Sequence, residues 1–175
     1  MPKIIVTGPE SSGKTTLCQQ LSTHFKIPFT KEFARDYIHN LDREYVEADL
    51  VEIAKKQLQL ETPLGNYDGL IHKISLHDTD LITIKIWSNY KYGSCDKWII
   101  NQIEKQKTEN RFYLLCTADI PWEDDPQREN PNNREELFEI YKEELEILGH
   151  DYLIVKGEER IKNSISKISE LKSNN

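Results

Sequence analysis

Apolar residues fall into five short runs, separated by stretches in which apolar positions recur every three or four residues. The runs read as strands near 3–7, 28–31, 73–78, 111–116 and 152–156, and the segments between them as helices. Parallel strands need a crossover, usually a helix, so this alternation predicts an α/β fold: a five-stranded parallel sheet with helices on both faces. The helix from Asn133 is the clearest. Leu137, Tyr141, Leu145 and Leu148 share one face, and Gly149 supplies a left-handed stop. Val46, Leu50, Ile53 and Ala54 form a second stripe, and Ile161, Ile165 and Ile168 a third.

Two segments break the pattern. Thr62 to Gly69, with Pro63, Gly65 and Asn66, reads as a loop. So does Asp119 to Asn133, with Pro121, Pro126, Pro131 and many charges, and it is too long for a plain connector. Neither a repeat nor a change of composition marks a boundary, so one domain over 1–175 is expected, with a lid at about 119–133.

Charge narrows the choice of partners. Lysine and arginine number 23 against 30 acidic residues, a formal net charge of −7, which argues against a nonspecific grip on a nucleic-acid backbone. A chain of 175 residues can bury a core without metal or disulfide staples. Cys18, Cys95 and Cys116 lie far apart with no histidine at a ligand spacing, so reduced thiols are expected. Ile4 to Val6 is too short an apolar run for a secretory or membrane segment, and a cytoplasmic protein without a membrane partner is expected.

Candidate chemistry begins at the first strand. Ile4-Ile5-Val6-Thr7 runs into Gly8-Pro9-Glu10-Ser11-Ser12-Gly13-Lys14-Thr15, which satisfies G-x-x-x-x-G-K-[ST] with a strand before and a helix after. Gly8 and Gly13 allow the backbone to turn its amides around phosphate oxygens at a helix N-terminus. Lys14 is expected to balance β- and γ-phosphate charge, and Thr15 to ligate Mg2+. An accidental glycine turn would predict neither the lysine nor the hydroxyl.

Three further clusters carry chemistry. Asp78 ends the third strand, where it can reach metal or substrate; Asp80 or Thr79 reads equally as a helix N-cap. Glu32, Arg35 and Asp36 share a face of the turn after the second strand, as a proton acceptor with its neighbours or as a surface pair of Arg35 with Glu32. The long loop holds Arg128, with Arg134 beyond it; it reads as a lid bringing arginine to a moving phosphate, or as a charged surface loop pinned by Trp122. The five histidines never pair at short spacing and read as structural or surface groups. Phosphoryl transfer requires no nucleophile of the protein, and none is assigned.

Gly8 to Leu17, Glu32-Phe33-Ala34-Arg35-Asp36-Tyr37, Asp78-Thr79-Asp80-Leu81 with Ile86-Trp87, and Asp119 to Asp125 together resemble the ribosylnicotinamide kinase domain of NadR-type NAD-salvage proteins. The resemblance runs from the first strand to about Arg160. It implies a P-loop fold of the nucleoside- and nucleotide-kinase type and ATP- and Mg2+-dependent phosphorylation of the 5′-hydroxyl of nicotinamide riboside. In related deoxynucleoside kinases the glutamate after the second strand is the general base, which implies that role for Glu32.

The expected catalytic residues are therefore Lys14, Glu32, Asp78 and Arg128. Gly8, Glu10, Ser11, Ser12, Gly13, Lys14, Thr15, Thr16, Arg128 and Arg134 are expected at ATP, and Thr15 and Asp78 at the metal. Glu32, Arg35, Asp36, Asp78, Asp80 and Trp87 are expected at the acceptor. Such proteins often carry an adenylyltransferase domain ahead of the kinase; this chain opens on the kinase strand, so adenylyl transfer is not expected. Gly65 to Lys73 is unlike the family's usual run into the third strand, which bears on substrate identity. The alternatives are a deoxynucleoside or thymidylate kinase and a nucleotide-sensing module. A GTPase switch would carry N-K-x-D and D-x-x-G, and neither occurs.

Overall fold

Strand β1 (Lys3–Thr7) is apolar on both sides because both are covered. Ile4 and Val6 pack with Leu17, Cys18 and Leu21 of helix α1 (Lys14–Phe25) and Ile168 of helix α7 (Arg160–Ser173). Ile5 packs on the opposite face, with helices α3 (Glu47–Leu60), α4 (Leu81–Tyr92), α5 (Lys97–Gln106) and α6 (Arg134–Leu148). The same alternation runs along β4 (Arg111–Cys116), with Phe112, Leu114 and Cys116 on the first face and Tyr113 and Leu115 on the second. A strand buried on both faces reads as a continuous apolar run, which is why the sequence marks it so clearly.

The computed structural model describes residues 1–61 and 73–173. With β2 (Phe29–Thr30), β3 (Ser75–Asp78) and β5 (Asp151–Val155), the sheet has the order β2-β3-β1-β4-β5 and all its pairings are parallel. Helix α2 (Phe33–His39) follows β2. All five strands are where the hydrophobic pattern puts them, with β2 reduced to two residues. Asn133 caps α6, and Gly149 ends it at φ 73°. Residues 119–133 contain neither helix nor strand. The expected loop from Thr62 to Gly69, and the segment Gly65 to His72, lie outside the described residues.

Val46 departs from the expected stripe. It is the N-cap of α3 and 52% exposed, while Leu50, Ile53 and Ala54 are buried. Periodicity includes it because it lies one turn ahead of Leu50, but the helix begins after it. Asp49 reaches back to the Val46 amide at 2.8 Å and receives two bonds from Arg43, which hold its carboxyl well below the usual range.

A buried charge cluster ties three elements together. The Arg111 guanidinium, with no exposed side-chain surface, donates to Glu61 at 2.5 Å and to Asp80 at 3.1 Å. Asp80 also accepts from the Tyr113 hydroxyl at 2.7 Å and caps α4 through the Ile82 amide at 3.0 Å. The end of α3 and the start of α4 are thereby fixed to β4. Removing one partner would strand a buried charge, which typically costs about 3–5 kcal/mol.

His77 joins the two strands nearest the opposite edge. Its ring nitrogens lie 3.1 Å from Thr30 Oγ1 and 2.8 Å from Ser75 Oγ, and burial, with the charges of Arg111 and Lys3, lowers its pKa to about 3. An unfolded histidine titrates near 6.5. Between these values the unfolded chain binds a proton that the folded chain refuses, so this contribution to stability is complete above about pH 6.5 and is lost as pH falls towards 3. The stability difference between wild type and His77→Gln should therefore shrink as pH falls below 6.5, by up to about 1.4 kcal/mol per pH unit. Denaturant titrations at several pH values measure it; a pH-independent difference would show that the imidazole is not held neutral.

Candidate active site

The glycine loop forms where β1 ends against β4. Gly8 has φ 131°, and a Cβ there would stand 2.5 Å from the Cys116 carbonyl oxygen, so a side chain is excluded by both conformation and space. Gly13, at φ 80°, caps α1. The first helical hydrogen bond runs from Leu17 N to Gly13 O, leaving the amides of Lys14, Thr15 and Thr16 at the positive helix end. Lys14 Nζ folds back over the loop, 3.0 Å from Gly8 O and 2.8 Å from Pro9 O. Ser12 Oγ braces the loop on Pro9 O at 2.8 Å.

Thr15 Oγ1 donates to Asp78 Oδ2 at 2.6 Å, so the first turn of α1 meets the carboxyl end of β3. Asp78 is 1% exposed, and its other carboxylate oxygen has no hydrogen-bond partner among the described residues. Burial raises its pKa, with the Thr15 bond and Lys14 acting against the shift. An unpaired carboxylate oxygen beside a hydroxyl, next to a phosphate-binding loop, is the hard oxygen donor set that Mg2+ takes, so these residues fit that ion. Among the described residues no three His, Cys, Asp or Glu groups cluster around a point.

Glu32 is the N-cap of α2 and faces the loop across a cavity of about 480 Å³. Its place is set by Gln57, a buried side chain of α3 that accepts from the Phe33 amide at 2.9 Å and donates to the Lys31 carbonyl at 3.4 Å. Burial raises the Glu32 pKa; Lys14 and Arg35 oppose the rise and Asp78 adds to it. Arg35 lines the same cavity but donates to Asp125 of the long loop at 2.7 Å, so the surface pair with Glu32 does not form. Trp87 lines the cavity, with its indole N–H on the Tyr45 hydroxyl at 3.0 Å.

Two expected acceptor residues are elsewhere. Asp80 is wholly buried on Arg111, Tyr113 and the α4 amide, the N-cap alternative, because the chain turns inward after β3. Asp36 is exposed on the outer side of α2 and does not line the cavity.

The long loop docks on the glycine loop through Glu10, Ser11, Arg128 and Arg134, all of them expected at ATP. Glu10 lines the cavity, and its Oε2 accepts from the Glu129 and Asn130 amides at 3.0 and 2.9 Å, so its carboxylate holds the loop. Ser11 Oγ takes the Glu123 amide at 3.0 Å and Arg128 Nη1 at 3.3 Å. Arg134 bridges the Ser11 and Ile120 carbonyls at 3.1 and 2.9 Å, on backbone and not at the cavity. Trp122 lies against the guanidiniums of Arg128 and Arg134. Arg128 lines the cavity.

Arg160 and Gln57 carry no sign in the sequence. Arg160 ties Ser12 O at 2.9 Å to Asp119 at 2.5 Å, and Asp119 also takes the Gly157 amide. A Cβ on Gly13 would sit 2.9 Å from this guanidinium. Both are recognised through partners more than 20 residues away, which local patterns do not reach.

The two kinds of glycine separate cleanly. Gly8→Ala should lose nucleotide affinity and destabilise the chain well beyond the roughly 1 kcal/mol expected of Gly93→Ala, where φ is 75° but nothing lies within 4 Å of a Cβ. Calorimetric titration with ATP and thermal unfolding of both variants measure this; equal effects would refute the close approach at Cys116.

A family profile described as an AAA domain matches residues 3–160. No curated protein sequence matches the chain. Among solved structures, a NadR protein in complex with NR superposes with a TM-score of 0.78 at 24% identity, covering 98% of this chain and 52% of the other. A NadR protein in complex with NAD and AMP-PNP gives 0.70 at 22% identity, over 97% and 49%. Deoxyadenosine kinase from M. mycoides with bound dATP gives 0.55 at 14% identity, over 95% and 98%. The fold is thus that of the P-loop kinases, and this chain spans about half the length of the NadR chains.

Proposed function

The chain belongs to the AAA domain family, and from that premise we propose that it is an ATP-dependent kinase that phosphorylates the 5′-hydroxyl of nicotinamide riboside. The observation that carries the reading is the placement of Glu32. A half-buried carboxylate of raised pKa and the phosphate-binding loop line one cavity large enough for a nucleoside, and Arg128 of the docked loop lines it too. A nucleotide switch has no use for such an acceptor chamber. The fold likeness to NadR proteins supports the choice of acceptor, and the kinase domain is taken to span 1–175 with 119–133 as its lid.

The chain's own residues divide the work. The loop amides and the helix end bind the ATP phosphates, and Lys14 leaves its loop carbonyls to meet the β- and γ-phosphates. Thr15 and Asp78 would hold Mg2+, which supplies positive charge to the phosphate oxygens. Glu32 accepts the proton of the 5′-hydroxyl, and burial makes it a stronger base than an exposed carboxylate. Arg128, in the lining of the same cavity, adds positive charge to the transferring group, and the docked loop keeps water from competing with the acceptor.

A coupled ADP-release assay over nucleosides, nucleoside monophosphates and nicotinamide riboside tests the assignment. The highest kcat/KM is expected for nicotinamide riboside, with Lys14→Ala abolishing turnover while thermal unfolding stays close to wild type. Preference for a deoxynucleoside would move the chain to that class of kinase, and full activity of Lys14→Ala would refute the kinase.

Glu32 makes a separate, pH-dependent prediction. Because it must be ionised to act, kcat should fall on the acid side at a pH above the ordinary carboxylate range. Glu32→Gln should lower kcat by about a hundredfold or more and remove that limb. A pH-rate profile with the limb intact in Glu32→Gln would assign the proton elsewhere.

A further inference from the structure

Helix α4 forms one long wall of the cavity. At its start the Thr83 hydroxyl lies 3.3 Å from that of Thr7, just ahead of the glycine loop. Lys91, eight residues on, is about 12 Å further along the axis, past Trp87 and Tyr90. A riboside with its 5′-hydroxyl at Glu32 and its ring laid along this wall carries its base towards Lys91.

That end of the cavity is already organised. Lys91 Nζ donates to the Tyr45 hydroxyl at 2.5 Å and to Glu129 Oε1 at 2.7 Å, and Tyr45 donates to the same oxygen at 2.9 Å. An ammonium has three protons, so one remains. Both of the bonds to Glu129 go to Oε1, and Glu129 Oε2 takes part in neither. Trp87 Nε1 fixes the Tyr45 hydroxyl from behind, and Lys91 Nζ lies 3.9 Å over the Tyr45 ring. A cationic donor and an anionic acceptor therefore stand side by side in the lining.

We propose that Lys91 and Glu129 are specificity-determining residues that read a neutral carboxamide on the acceptor's base and reject the corresponding carboxylate. The inference rests on the nicotinamide riboside reading above. The carboxamide carbonyl accepts from Lys91 while its amino group donates to Glu129 Oε2. A carboxylate gains the first contact but meets like charge at the second. Glu129 also offsets Lys91 against a positively charged pyridinium ring, which Lys91 alone would repel. Tyr45 cannot supply that negative charge, since burial pushes its phenol up to about 12. The residue that reads the base is also the one whose amide docks on Glu10, so recognition and closure meet at one position.

The test compares kcat/KM for nicotinamide riboside and for the riboside bearing a carboxylate in place of the carboxamide, in wild type, Glu129→Gln and Lys91→Met. The ratio within one preparation is independent of the active fraction and of any general loosening of the loop. Wild type should prefer the carboxamide, and Glu129→Gln should lower the ratio about tenfold or more. Lys91→Met should reduce use of both ribosides. A wild type that uses nicotinamide riboside and a Glu129→Gln with an unchanged ratio would overturn this assignment and leave the functional reading standing. A wild type that uses neither riboside overturns the functional reading, and this assignment with it.

Discussion

Burial of the parallel sheet on both faces is the constraint on which the rest depends. With α1 and α7 on one side and α3 to α6 on the other, the central strands expose no face on which chemistry could be mounted. Polar side chains can converge only where the strands stop. Thr7 hands over to the glycine loop, Thr30 leads to Glu32, Asp78 closes its strand, Cys116 precedes the docked loop, and Val155 leads towards Arg160. One edge of the sheet thus collects the glycine loop, Glu32, Asp78 and the arginines from segments spread over most of the chain.

What the sequence discloses follows from this arrangement. Doubly buried strands give unbroken apolar runs, and the phosphate loop is a contiguous motif, so both are legible without coordinates. Residues whose role comes from a distant partner are not. Gln57 resembles any polar helix residue until it is found bracketing the turn before Glu32, and Arg160 lies 148 residues from the carbonyl it holds. Local spacing also offers wrong partners: Arg35 is one turn from Glu32, but its guanidinium pairs 90 residues away with Asp125. Val46 shows the opposite error, an apolar residue in phase with a stripe but ahead of the helix that carries it.

Stability and site geometry share a boundary at the end of β3. Asp78 and Asp80 are two residues apart and both buried, yet one faces Thr15 and the other Arg111. Thr79 between them takes φ 67°, which rotates the chain so that the two carboxylates diverge. The pair in the core thereby helps to fix the strand end from which the other reaches the phosphate loop. The cost of holding Arg111, Asp80 and Glu61 out of water is spent beside the site, where a shift of position would matter most.

In a phosphate loop of the form G-x-x-x-x-G-K-[ST] the intervening residues are ordinarily regarded as interchangeable filler. Here they are fully engaged: Pro9 receives Lys14 and Ser12, Glu10 and Ser11 carry the covering loop, and Ser12 receives Arg160. The motif therefore behaves less like a cassette than like a keystone, cut to the stones on either side. Grafting a generic loop with the right glycines, lysine and threonine would keep the grip on phosphate and sever it from the cover, and a recombination breakpoint inside this octapeptide would have to bring residues 119–134 along with it.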